Sequence, residues 1–327
     1  MTRGFQTQAS GSGHYRNLAL VGLAGVLIAI VALGTDNAFL LSLAGYTCGF
    51  ALFALSVNMI LGGVGEVPLG QCVFFGVGAY VPAIAMSRWG LPFEVGVAMG
   101  MAAAAVLAFA IGWLTRGLTG AYFSIVTWGL TGVAMVVALN LDITGGPLGL
   151  FGFSRLAVGP FNLTDPRVYF LVASITLLVV LIFLAHVRTS RFGHALESIR
   201  QSPHLAQSLG ISVPLEKLKI LVLSAPVAAL GGALVLPYTQ IVTPEVLSVM
   251  RTVEAMLAVL IGGTALLYGP VLGAVIFTVL PQMMDFDANV KMLVFSLLVI
   301  FVMIVVPGGL HQAIGMLRPA RKSRVEA

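Results

Sequence analysis

Long apolar runs constrain the fold of this chain more than any other feature. Stretches rich in Leu, Val, Ala, Ile and Gly follow one another, each about twenty residues long, the length that a spanning helix needs. Only 9% of the 327 residues are charged, so the apolar excess must face lipid rather than fill one core. Lipid allows only helices or closed barrels, and barrel strands would alternate in hydropathy. The runs therefore predict an all-α fold, a polytopic transmembrane helical bundle.

Hydropathy divides the chain into about ten spans. They are predicted at 18–33, 38–61, 67–86, 92–115, 120–140, 167–187, 218–236, 251–266, 268–284 and 291–307. The first run is long for the core of a signal peptide and no small-residue cleavage site follows it, so we expect an uncleaved helix. The third, eighth and ninth spans are short or interrupted by Gly and Pro.

The distribution of basic residues supports an even number of spans. With the N-terminus inside, twelve of the 17 Lys and Arg residues fall in cytoplasmic segments and five outside, as the positive-inside rule requires. The predicted domains are a cytoplasmic tail (1–17), a transmembrane domain (18–310) and a basic cytoplasmic tail (311–327). The polar loop at 188–217 is then cytoplasmic.

Signals for catalysis are absent from the sequence. There is no zinc-protease motif, no nucleophile elbow and no Walker A sequence. Cys48 and Cys72 stand in apolar runs, which favours buried small hydrophobes over a disulfide or metal site. We therefore predict a transport protein that is not an enzyme, binds no cofactor or metal and does not hydrolyse nucleotide by itself.

The predicted spans contain few acidic residues, and two of interest are Glu66, at the start of the third, and Glu254, one turn into the eighth. Glu66 either faces a transport pathway or is an N-terminal acid placed against a helix dipole. Glu254 either faces the pathway or pairs with Arg251, three residues away on the same helix face. Ion-coupled carriers usually hold their ion on more intramembrane groups than these.

Two segments interrupt the apolar pattern with Gly and Pro, one in each half of the chain. They lie at 61–80 and 261–274, and predict non-helical breaks that line a cavity or are covered by protein. A third irregular stretch, 140–167, is too broken to span. It is either a cap lying against the membrane surface or a docking surface for an extracytoplasmic partner.

The polar loop carries the signals of a short helix. Ser202 is a good N-cap, Pro203 suits the first helical position and Gly210 a C-terminal glycine, so a helix is predicted over 203–209. Isolated helices shorter than about a dozen residues are marginal in water. The loop therefore needs a surface on which to dock.

From about residue 40 to 310 the chain resembles the LivM-type permeases of branched-chain amino acid ABC importers. The resemblance rests on the order of five segments: ALFALSVNMILGGVGEVPLGQCVFFGVGAY, GAYFSIVTWG, TGGPLGL, RFGHALESIRQSPHLAQSLGI and IGGTALLYGPVLGA. It implies a ten-helix permease fold in a bacterial inner membrane and import of branched-chain or other hydrophobic amino acids. The implied partners are two ATP-binding cassette ATPases, a second LivH-like permease and an extracytoplasmic substrate-binding protein.

The resemblance also implies roles for particular residues. The polar loop becomes the coupling helix that docks on the ATPase, with these contacts: Arg200, Gln201, Ser202, Pro203, Leu205, Ala206, Leu209 and Gly210. Candidate pathway residues are Glu66, Gln71, Ser124, Thr127, Thr144 and Glu254.

The sequence departs from the family pattern in regions that could face the pathway. The departures are Glu66, Pro68, Gln71, Cys72, Ala121, Pro147 and Leu148. Import of urea, short amides or aromatic acids by the same machinery is therefore an alternative. An ion-coupled secondary carrier acting alone is a further one.

Overall fold

The computed structural model describes residues 37–153, 156–264 and 267–283, and these fold almost entirely into helices. The predicted first and tenth spans and both polar tails lie outside these residues. The α-helices in chain order are α1 (Ala38–Val64), α2 (Gln71–Trp89), α3 (Phe93–Thr115), α4 (Ala121–Asn140), α5 (Pro166–Thr189), α6 (Arg191–Gln201), α7 (Pro203–Ser208), α8 (Val213–Thr239), α9 (Val249–Gly262) and α10 (Gly269–Met283). The helical bundle predicted from hydropathy is confirmed.

Six of these helices, α1 to α5 and α8, are long and apolar enough to cross a membrane. The predicted eighth and ninth spans are helical as α9 and α10, but they contain only 14 and 15 residues. A straight span needs about 20 residues. Helix α9 ends at Gly262 and α10 is described only to Met283, so within the described residues length alone identifies six crossing helices.

Helices α1 and α8 form the centre of the bundle. Helix α8 packs against α1, α2 and α3, and α1 also packs against α5, α9 and α10. Glycines allow this close approach: a Cβ atom added at Gly49 would lie 3.2 Å from the Gly231 carbonyl oxygen, and one at Gly78 would lie 1.9 Å from that of Ala229. Small residues at such crossings are what membrane helices use to pack tightly.

Helix α4 lies at the edge of the described bundle. Its exposed side is apolar and includes Tyr122, Val126, Val133 and Val136. Successive members are four, seven and three residues apart, about one or two helical turns, so they share one face of the helix. Such a face suits contact with lipid or with another membrane protein.

The bundle has two ends, named here by what covers them. At the loop end lies the polar loop, residues 190–212. At the cap end lies the cap, residues 141–165, which holds 3-10 helices Asp142–Thr144 and Gly146–Leu148 and strands β1 (Leu150–Phe151), β2 (Ala157–Val158) and β3 (Phe161–Asn162). Helix α8 has 27 residues and so joins the two ends over about 40 Å.

The cap is packed on the protein rather than free. Strand β1 pairs antiparallel with β4 (Ile241–Val242), and β2 pairs with β3. Leu150, Leu156 and Leu163 are buried in a core cluster at this end. Of the two interpretations of this segment, the structure therefore shows a cap in its described part, and a docking role stays a prediction.

Candidate functional site

The polar loop folds into two helices rather than the single one predicted. Helix α6 begins after Ser190, whose hydroxyl accepts a hydrogen bond from the Gly193 amide. Helix α7 begins after Ser202, whose hydroxyl accepts from the Leu205 amide at 3.3 Å, with Pro203 as its first residue. The predicted N-cap is confirmed, and α6 was missed because its signal lies in the spacing of only a few apolar residues.

Helix α7 ends at the predicted glycine. Gly210 has a φ of +85°, the left-handed conformation that glycine adopts without strain. The Ile211 amide donates to the Ala206 carbonyl at 3.0 Å and the Gly210 amide to that of Gln207 at 2.9 Å. These two bonds make a Schellman motif, which satisfies the last carbonyls of the helix.

The two loop helices have one buried and one exposed side. Leu196, Ile199 and Ala206 are buried against the bundle, whereas Leu205 and Leu209 are 61% and 71% exposed. The predicted coupling residues Gln201, Pro203, Leu205, Leu209 and Gly210 are exposed and Ser202 is half-buried. Ala206 was expected on the outer surface, but it is only 1% exposed. Its side chain instead packs between the loop and the bundle.

Two polar links tie this region to the end of α1. The Arg200 guanidinium donates from Nη1 to the Gly62 carbonyl oxygen at 2.8 Å. Lys217, in the first turns of α8, forms an ion pair with Glu66, and the two side chains are only 12% and 8% exposed. Of the residues held by these links, Gly62 lies near the end of α1 and Glu66 lies in the break between α1 and α2 (residues 65–70).

The break at 65–70 gathers four of the six predicted pathway residues. Glu66 lies within it, and the Ser124 hydroxyl donates to the Val67 carbonyl at 2.9 Å. Gln71 is 1% exposed and donates from Nε2 to the Ser224 hydroxyl at 3.2 Å. A Cβ atom at Gly70 would lie 2.7 Å from the Thr127 carbonyl oxygen, so α4 packs directly on the break.

The other two predicted pathway residues lie elsewhere. The Thr144 hydroxyl donates to the Ala138 carbonyl at 2.7 Å and so secures the start of the cap to the end of α4. Glu254 accepts a hydrogen bond from Arg251 at 3.2 Å, which confirms the predicted neighbour pair. The six residues therefore do not form one site.

Sequence reasoning missed a cavity of about 300 Å³ between α1, α2, α8 and the segment after α8. We call it the aromatic cavity. It is lined by Tyr46, Phe50, Phe53, Phe75, Ala79, Gly232, Val235, Leu236, Thr239, Ile241, Val242, Thr243, Glu245, Val246 and Arg251. Tyr46, Phe50 and Phe53 are four and three residues apart, so one aromatic face of α1 was the signal that could have indicated it.

The comparison with family models decides what kind of protein has this arrangement. Residues 39–307 match the model described as "Branched-chain amino acid transport system / permease component". The chain belongs to this permease family. The permease is a multi-pass membrane protein, and its polar loop, break and cavity all lie within the matched residues.

Curated relatives agree with the family assignment. The permease is 30% identical over 325 residues to the high-affinity branched-chain amino acid transport system permease protein LivM of Escherichia coli K12, covering 90% of this chain and 76% of the relative. The LivM protein of Salmonella typhimurium is 28% identical with the same coverage. LivH of Escherichia coli K12 is 24% identical over 287 residues, covering 81% of this chain and 92% of the relative.

No solved structure matches the chain. The resemblance to LivM-type permeases drawn from the sequence is confirmed by the family match and by the LivM relatives. The geometry described above therefore belongs to a LivM-type permease.

Proposed function

We propose that this chain is one permease subunit of an ABC importer for branched-chain or other hydrophobic amino acids in a bacterial inner membrane. Its partners in this proposal are a second, LivH-like permease, two ATP-binding cassette ATPases and an extracytoplasmic substrate-binding protein. The names of the LivM and LivH relatives support the substrate class. The chain itself contains no Walker A sequence, so in this proposal ATP is hydrolysed by the partner ATPases.

The observation that carries the proposal is the exposed apolar surface of α7 at the loop end. Leu205 on this six-residue helix and Leu209 at its C-cap are more than half exposed, in a polar segment where solvent would otherwise surround them. A helix this short is not stable alone. Buried Ala206 and the caps at Ser202 and Gly210 hold it in shape, which suits a rigid contact with a partner.

The links beneath the loop give a route by which such a contact acts on the membrane helices. Displacement of α6 pulls on Gly62 through Arg200, and displacement of the start of α8 pulls on Glu66 through Lys217. Both forces act on the break at 65–70, where Gln71 and α4 also meet. Alternating access then requires that ATP favour one arrangement of the complex over the other.

The proposed topology follows the charge distribution. Residues 1–17 and 311–327 are cytoplasmic tails, 18–310 is the transmembrane domain and 188–217 is the coupling loop. Arg188, Arg191, Arg200 and Lys217 concentrate basic charge in that loop, and Lys219 follows it. This places the loop end inside the cell and the cap outside.

A pair of leucine substitutions tests the coupling surface. Leu209→Glu places a charge on α7, and the matched control Leu148→Glu makes the same change in the cap, where the leucine is 76% exposed against 71% for Leu209. We expect Leu209→Glu to abolish co-purification of the ATPase and ATP-dependent L-leucine uptake in vesicles. Leu148→Glu should keep the ATPase bound.

Two results would overturn the proposal. One is normal ATPase binding and uptake by the Leu209→Glu complex. The other is accumulation of L-leucine by this chain alone on an ion gradient without ATP, which would identify a secondary carrier. Uptake of urea or an aromatic acid in place of L-leucine by the intact complex would correct the substrate class and leave the coupling role standing.

A further inference from the structure

We propose that the aromatic cavity is a binding vestibule of the transport pathway that takes a zwitterionic amino acid with an apolar side chain. This inference rests on the proposed function and assigns it a site within this subunit. The cavity lies apart from the break at 65–70 that the sequence had indicated.

The position of the cavity suits a pathway. Thr239 and Ile241 line it at the cap end, where α8 finishes. Phe53 lies 15 residues into α1 from the same end, which corresponds to about 22 Å of helix. The cavity thus reaches from the cap end to the middle of the bundle, and its floor is the contact between the Phe53 and Phe75 rings, whose centroids are 4.5 Å apart.

One wall of the cavity is formed by the partly non-helical segment between α8 and α9. After α8 the chain passes through β4 and a 3-10 turn (Pro244–Leu247) before α9 begins beyond its N-cap, Ser248. The Cys72 amide donates to the Thr252 hydroxyl at 3.0 Å and the Cys72 thiol to the Leu247 carbonyl at 3.3 Å. The start of α9 therefore lies beside the start of α2, within the bundle. Non-helical backbone at such depth occurs where it lines a cavity or is covered by protein.

The charges on the wall match the two ends of an amino acid. Arg251 lines the cavity, where Nη1 donates to Glu254 and the guanidinium also interacts with the Tyr46 hydroxyl. A guanidinium has five N–H donors, so donors remain for a carboxylate. Glu245 also lines the cavity, is exposed and forms no ion pair with another described residue. It can accept hydrogen bonds from an ammonium group.

The rest of the lining matches an apolar side chain. Phe50, Phe53 and Val235 present only apolar surface, and burial of a branched aliphatic group there is favourable by about 25 cal/mol per Å². The volume of about 300 Å³ is at the lower end of the range for small-molecule sites. A zwitterion with an aliphatic side chain uses both parts of the wall, whereas urea has neither the charges nor the apolar group.

Cysteine protection in the assembled importer tests the site. Val235→Cys places a thiol on the cavity wall, and Val179→Cys is the matched control on the 60% exposed, apolar side of α5. Both native cysteines are buried and free, so the unmodified chain supplies the background. We expect a charged methanethiosulfonate reagent to modify Val235→Cys, and saturating L-leucine with the binding protein to remove that reactivity. Glycine, which lacks the apolar group, should protect less.

A second variant keeps the proposal testable if Val235→Cys does not fold. Glu245→Gln removes one charge from an exposed side chain, so we expect a higher KM for L-leucine uptake with normal ATPase binding. An unchanged KM together with no protection of Val235→Cys would overturn the vestibule. Failure of the unmodified complex to import any hydrophobic amino acid would overturn the proposed substrate class instead, so the two failures are distinct.

Discussion

Lys217 forms a largely buried ion pair with Glu66, although the two residues are 151 positions apart in the chain. The pair joins the start of α8 to the break between α1 and α2. Neither residue therefore serves as an isolated intramembrane charge. The two interpretations of Glu66 drawn from the sequence both lacked this partner, because an ion pair between distant segments leaves no local signal.

The first prediction concerns the stability of this pair. Glu66→Gln or Lys217→Met alone leaves one buried charge without its partner, which typically costs about 3–5 kcal/mol. The double variant removes both charges and should recover most of that loss. Thermal unfolding of each purified variant in detergent measures the stability of the two single variants and the double variant. A loss in the double variant equal to the sum of the two single losses would mean that the two side chains act independently.

The second prediction concerns the link from Arg200 to Gly62. Arg200 is exposed, so Arg200→Ala should reduce the free energy of unfolding by no more than about 1 kcal/mol. It should nevertheless lower L-leucine uptake per ATP hydrolysed, because α6 no longer holds the end of α1. Arg191→Ala, on an exposed residue of the same helix, is the control. If both variants couple normally, movement reaches the bundle by another route.

The third prediction concerns glycine at the helix crossing. A Cβ atom at Gly78 would lie 1.9 Å from the Ala229 carbonyl oxygen, so Gly78→Ala must push α2 and α8 apart. Overpacking of this kind costs about 1–3 kcal/mol or more. Gly129→Ala is the matched control, because nothing lies within 4 Å of its added Cβ. We expect a lower melting temperature and a lower yield for Gly78→Ala but not for Gly129→Ala. Equal melting temperatures of the two variants would show that α2 and α8 move apart without loss of stability.

How far the sequence predicts the structure depends on how local each signal is. The caps at Ser202 and Gly210 were predicted correctly, because capping rules involve residues only three to five apart. The cavity was missed because its walls come from α1, α2, α8 and the segment 240–251, which are distant in the chain. The late segment broken by Gly and Pro was also predicted from local signals, and α9 ends there at Gly262.

Ala206 shows the same limit within a single helix. The sequence placed it among the coupling contacts, but it lies on the buried side of α7, whereas its neighbour Leu205 is exposed. In a six-residue helix the apolar positions are too few to define a face. The side that faces the bundle is set by packing against α6 and α8, which only the structure shows.

The fourth prediction concerns the glycine that ends α7. Gly210 has a φ of +85°, so Gly210→Ala should cost about 1 kcal/mol or slightly more, and Gly210→Asn less, because asparagine tolerates this conformation better. Loss of the Schellman bonds should speed hydrogen exchange at the Gly210 and Ile211 amides and weaken ATPase co-purification in the same order. Gly117→Ala is the control, since Gly117 has open space around it and no positive φ. Faster exchange without weaker ATPase binding would separate the shape of α7 from docking, and would place the contact elsewhere on the polar loop.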